Sequence, residues 1–243
     1  MKLIAFDLDL PYVKNDGRLA ILTKEHNCSI VEATKLDYQM NWKHIRRTFA
    51  LQTRCISTLF ERLLGGIDTK DCQKILVECV PSVSDISVKN FSGVYSVEVN
   101  FDAGTFAESN EFDKKRLTLS LLMDAIKKVA FDQNWDIAPF EDVYAKIIEL
   151  EYKNEWTWKK CAKSPDKRYV ANVLLSHEVS KIDISVIISN NHKTQVFREK
   201  VITELPDEYA YASHMGEINW VSNNEVILTN VDRDREWLVQ FPG

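Results

Sequence analysis

The chain has 243 residues, 45% hydrophobic and 28% charged, enough to bury one large core or two small ones. Its 31 basic side chains against 36 acidic ones give a net charge of -5. That excludes the basic body needed for sequence-independent nucleic-acid binding, and it makes any macromolecular partner a basic one.

The stretch "KLIAFDLDLPYV", residues 2–13, reads as a first strand. Ile4, Phe6, Leu8 and Leu10 alternate with Asp7 and Asp9, so the apolar set faces a core and both aspartates face water. A D-x-D pair after a hydrophobic strand also resembles the first motif of haloacid-dehalogenase-like phosphatases. There the first Asp attacks phosphorus and the second moves the proton. That family places Thr or Val two residues beyond the second Asp, where Pro11 stands here. It also needs a later Lys and a pair of acids after a later strand. The adjacent acids Glu141 and Asp142 open a helix instead. The wet-face reading is therefore preferred, and a metal-dependent phosphohydrolase using Asp7 and Asp9 is the alternative. The turn "KNDG" followed by "RLAILTK" predicts a β-hairpin, with Gly17 supplying the unusual backbone angle.

The period then changes. In residues 42–66 Ile45, Phe49, Ile56, Phe60 and Leu63 recur at helical spacing, with Arg46, Arg47, Arg54 and Arg62 between them. This predicts an amphipathic helix over 43–64, stopped by Gly65 and Gly66. The basic cluster "WKHIRRTF" is read as its polar side rather than as an RNA-binding patch. Two strands follow, "KILVECV" and the alternating "FSGVYSVEVNF". Helices are predicted over 112–134, with Leu119, Leu122, Ile126 and Val129 on one side, and over 139–153, opened by Pro139. Asp142 is placed to pair with Lys146, and the two helices form a hairpin against a sheet.

From about residue 168 the period is two. "YVANVLLSHEV", "KIDISVIIS", "QVFREKVITEL", "GEINWVS", "NEVILTN" and "EWLVQF" predict an antiparallel meander or sandwich. The charged segment "KKCAKSPDKR", residues 159–168, marks the boundary. The fold class is α+β. Residues 1–160 form a mixed part with a packed helical hairpin and residues 161–243 a mainly antiparallel β part, unless the two make one continuous domain. Trp220 and Trp237 fit strand alternation as core residues. Trp156 and Trp158 are placed at a seam between the parts or at a contact surface.

No catalytic or cofactor motif is found. The five cysteines have no repeated spacing and read as small buried hydrophobes in a reducing cytosol, and no two histidines lie four apart. No cofactor and no metal is expected. No secretory signal is read at the start and no segment is apolar enough for a membrane span, so the expected location is the cytoplasm.

The run "YSVEVNFD…FDKKRLTLSLLMDAIKKVAFDQNWDIAPFEDVYAKIIELEY", with "ELPDEYAY" and "GEINWVSNNEVIL", looks like the small α+β immunity proteins encoded beside polymorphic toxins in Firmicute-type bacteria. The resemblance covers roughly residues 92–230 and carries over no functional residue. It implies a non-catalytic inhibitor that holds a toxin domain stoichiometrically. An interaction module of another circuit is a further reading. A nuclease-like toxin presents basic residues to phosphates, so its inhibitor gains by offering carboxylates. The candidate partner-binding residues are Asp207 and Glu208 in "PDEY", and Asp232, Asp234 and Glu236 in "VDRDRE", all read as lying in turns between strands.

Overall fold

Phe6 and Leu8 are fully apolar teeth on a short strand, and their burial organises the N-terminal half of the molecule. The computed structural model describes residues 1–242 and divides into two units, Met1–Tyr152 and Lys153–Gly243. The division falls earlier than the expected 160/161. The charged segment at 159–168 is a hairpin, with Lys167 N–H returning to Ser164 C=O at 2.9 Å, and so belongs inside the second unit.

In the first unit β1 (Lys2–Leu3) pairs with β3 (Ile67–Asp68). The main sheet runs β2 (Ala5–Asp9), β4 (Lys74–Val80), β6 (Val94–Asn100), β5 (Lys89–Phe91). The first three strands are parallel and β5 is antiparallel to β6. Register sets Phe6 beside Ile75 and Tyr95, and Leu8 beside Val77 and Val97, all buried. Long helices cover that face: α3 (Lys43–Leu64) lies on β2, and α5 (Glu111–Gln133) lies on β4 and β6. α6 (Ala138–Glu149) packs on both α3 and α5. Phe60 meets Phe6 with ring centroids 5.2 Å apart. The predicted helices are thus present. The last one ends at Glu149, because Glu151 and Tyr152 take left-handed backbone angles. Lys146 pairs with Glu149, not with Asp142.

The expected hairpin at 14–24 is absent. Residues Asp16–Glu25 form α1, and Ile30–Asp37 form α2. The Asn15 side chain accepts from Arg18 N–H, so "KNDG" opens a helix, and Gly17 lies in its first turn. Leu19 and Leu22, one turn apart, pack with Ala33 in a small cluster of their own. A five-residue π-helical turn, Tyr38–Trp42, leads into α3, and a short α4 (Ala103–Glu108) follows β6. Two residues predicted for the core, Ile4 and Ile45, are exposed.

The second unit is a sandwich of two antiparallel meanders. One holds β7 (Asn154–Lys163), β8 (Tyr169–His177), β9 (Ile182–Asn190) and β10 (Gln195–Glu204). The other holds β11 (Glu217–Ser222), β12 (Glu225–Thr229) and β13 (Glu236–Gln240), entered through a short α7 (Glu208–Ala212). Val173, Ile184 and Val186 of the first sheet share one core with Ile218, Leu228 and Val239 of the second. Trp156 and Trp158 lie on β7, packed against this core together with Trp220 and Trp237. Cys55, Cys72 and Cys79 are buried as expected, Cys28 is half-buried, and Cys161 is exposed.

Candidate functional site

Asp7 and Asp9 do point away from the Phe6 face, but not into open water. Their side chains are only 35% and 19% exposed. Arg46 of α3 grips both oxygens of Asp9, at 2.6 and 2.7 Å. That bond raises the guanidinium's affinity for its proton. Arg54 donates to Asp7 at 2.9 Å, and Lys74 closes on the other Asp7 oxygen. Register sets Asp9 beside Glu78 and Glu78 beside Glu98, a row of like charges that would repel if left bare. Each acid is answered separately. Ser96 donates to Glu78 at 2.5 Å, and Ser84 and Asp85 backbone N–H groups donate to Glu98. Both oxygens of each aspartate are committed to cations, so neither is presented as a nucleophile.

A cleft of about 570 Å³ opens at the carboxyl ends of β2, β4 and β6. Loops and helix starts cluster at this end of an open parallel sheet, where such folds bind ligands. One wall is Leu10, Val13, Lys14, Asn15, Arg18 and Trp42. The other includes Cys79, Asn100, Phe101 and Asp102. Behind the first wall sits Asp37, wholly buried. It accepts from Arg18 Nε at 2.7 Å and Nη2 at 3.0 Å, from Tyr12 Oη at 2.5 Å and from Asn41 Nδ2 at 2.8 Å. The Arg18 bonds, against the cost of burial, hold the Asp37 carboxyl well below the usual carboxylate range. Burial and the bond to Asp37 push the Tyr12 phenol up to about 12. Trp42 is fixed by donating from Nε1 to Leu10 C=O at 3.2 Å, and its ring meets the edge of Tyr12. Burial also pushes the Cys79 thiol up, so it is not a reactive thiolate. None of these cleft residues stands out in the sequence, because they come from four separate stretches of chain.

The five predicted acids all lie in the second unit. Asp207 is half-buried and caps α7, accepting from Tyr209 N–H, and Glu208 opens that helix. Asp232 and Asp234 lie in the exposed β12–β13 turn, where Asp234 accepts from Asn230 Nδ2 at 2.6 Å. Glu236 is the first residue of β13, not a turn residue. The two stretches meet at one end of the sheet, where Val231 N–H donates to Ser213 C=O at 2.9 Å. Gly216 permits this approach, since a Cβ there would come within 2.2 Å of the Asn230 carbonyl oxygen.

The outer face of this three-stranded sheet was not foreseen. Register lays out three cross-strand rows: Glu236, Thr229, Glu217; then Leu238, Ile227, Asn219; then Gln240, Glu225 and Ser222. A bulge between Trp220 and Ser222 brings Val221 to the third row. Leu238 is 52% and Val221 58% exposed, so an apolar centre is held open between carboxylates. The one ion pair recorded for Glu217 goes to Arg233 at 2.7 Å. No group of three or more acidic, histidine or cysteine side chains among the described residues is arranged to hold a metal ion. No helix of the described residues is long and apolar enough to cross a membrane. No protein family, curated protein or solved structure matches the chain.

Proposed function

We propose that this chain is a non-catalytic binding protein of the bacterial immunity type, which holds a basic toxin domain stoichiometrically in the cytoplasm. The observation that carries the reading is the outer face of β11, β12 and β13. Leu238, Ile227 and Val221 make an apolar centre, and Glu217, Glu225 and Glu236 make a charged rim. Apolar side chains held open on a paired sheet supply the desolvated centre of a protein interface. The carboxylates around them steer a cationic partner and reject an anionic one. Asp232 and Asp234 lie at the turn, where Arg233 and Arg235 match them charge for charge, so they add local carboxylates to the rim without adding net charge.

The partner is to be sought as a copurifying toxin domain or the product of an adjacent gene, and the complex measured with purified components. We expect a one-to-one complex that Leu238→Arg weakens by about 30-fold or more, as for a central contact. Asp232→Asn/Asp234→Asn should slow association and flatten its salt dependence, with a smaller change for Asp207→Asn/Glu208→Gln. A complex whose affinity is indifferent to Leu238→Arg and whose association rate ignores salt would overturn the reading.

A further inference from the structure

The cleft of the first unit has a chemistry unlike that of the outer face of the second. Burying a carboxylate as completely as Asp37 costs several kcal/mol, and its pairing with arginine seldom repays that as stability. What the pair does provide is orientation. With Nε and Nη2 both bound to Asp37, the Arg18 guanidinium is locked in one plane while its side chain stays 40% exposed at the cleft wall. A charged group held rigid at the edge of a cavity by a buried partner is pre-organised to meet a ligand of opposite charge.

The turn beside it supports the same conclusion. Segments of π-helix are rare and concentrate at functional sites. The one at Tyr38–Trp42 takes part in three fixing contacts: Asn41 donates to Asp37, Trp42 donates to Leu10, and Tyr38 Oη accepts from Arg46. It therefore sets the Trp42 ring and the Arg18 guanidinium in a single rigid wall. Lys14 adds a second cation to the lining. The carboxylate on the opposite side, Asp102, turns both oxygens to its own helix, accepting from Gly104 and Thr105 N–H and from Thr105 Oγ1.

The geometry points to a binding site for a small organic anion that carries a phosphate or carboxylate and a planar ring. Arg18 and Lys14 take the charge, Trp42 takes the ring, and about 570 Å³ accommodates a molecule of that size. This site does not rest on the protein-binding role, and the two fail independently.

The test is calorimetric titration of the intact chain with adenosine monophosphate, benzoate, inorganic phosphate and adenosine. At least one of the two ring-bearing anions should bind saturably with one-to-one stoichiometry, and neutral adenosine should bind at least about tenfold more weakly than the nucleotide, as loss of a charge-assisted contact requires. Arg18→Gln should weaken the anion by about 10-fold or more, and Trp42→Leu should weaken the ring-bearing anions while leaving inorganic phosphate unchanged. Because Arg18→Gln strands a buried carboxylate and can compromise folding, Lys14→Gln is the second arm, with an expected loss of about fivefold. Absence of saturable binding by both ring-bearing anions below about 1 mM, or binding indifferent to Lys14→Gln and to Arg18→Gln, would overturn the site.

Discussion

Asp37 shows how much one residue can carry. Four hydrogen bonds converge on its carboxylate, two of them from Arg18. Replacing it with Asn removes the charge and leaves the guanidinium and the phenol facing a neutral amide. We expect Asp37→Asn to lower stability by about 3 kcal/mol at neutral pH, at the low end for a broken buried pair because Arg18 can turn to water. The loss has a pH signature. The folded carboxyl titrates below its ordinary value of 3.8, so the charged form stabilises the fold above that pH and its contribution fades as pH falls further. Denaturant unfolding of both proteins should show a gap that is constant from pH 5 to 7 and narrows below about pH 4. A gap that widens on acidification would show that Asp37 is not held ionised.

Among the elements, β2 is the most exposed to misuse, because it is an edge strand of the main sheet. Its outer edge is closed by side chains of α3: Phe6 N–H donates to Glu61 at 2.8 Å, and Arg54 Nη1 donates to Phe6 C=O at 3.2 Å. Arg54→Met/Glu61→Met should therefore cost about 1–3 kcal/mol and free the edge for pairing with a second copy. Denaturation and sedimentation at rising concentration would read the two effects. A monomer of unchanged stability would refute the role. Alternation in the sequence correctly set Asp7 and Asp9 opposite Phe6, yet their cations come from Arg46 and Arg54 of α3 and from Lys74 at the start of β4, which no local pattern reveals. The missed helices α1 and α2 have a different cause. "RLAILTK" is a short apolar run that suits strand or helix, and Gly17 weighted it toward a turn. A signal was present in "SIVE": Ser29 and Glu32 form a reciprocal capping box at the start of α2. The long helices and the C-terminal strands were legible because many residues repeat one period. The cleft was not, since topology alone gathers Arg18, Trp42, Cys79 and Asp102.

At the scale of the whole molecule, each unit owns its core. The second gathers both of its sheets around Val173, Ile184, Leu228 and Val239, and every strand pairing in it closes within one meander or the other. A fragment spanning Lys153–Gly243 should consequently fold alone, giving a β-type circular dichroism spectrum and a cooperative thermal transition. A fragment that stays unfolded would contradict this account of where the core lies. The first unit is built on a different schedule. Phe6 of β2 pairs with Ile75 of β4, about 70 residues downstream. Made at 5–20 residues per second, the strand waits about 4–14 s for the neighbour that completes its sheet edge. α3 is finished sooner, and Phe60, Arg54 and Glu61 all lie on it. Of the two elements that flank β2, the helix is thus made before the strand.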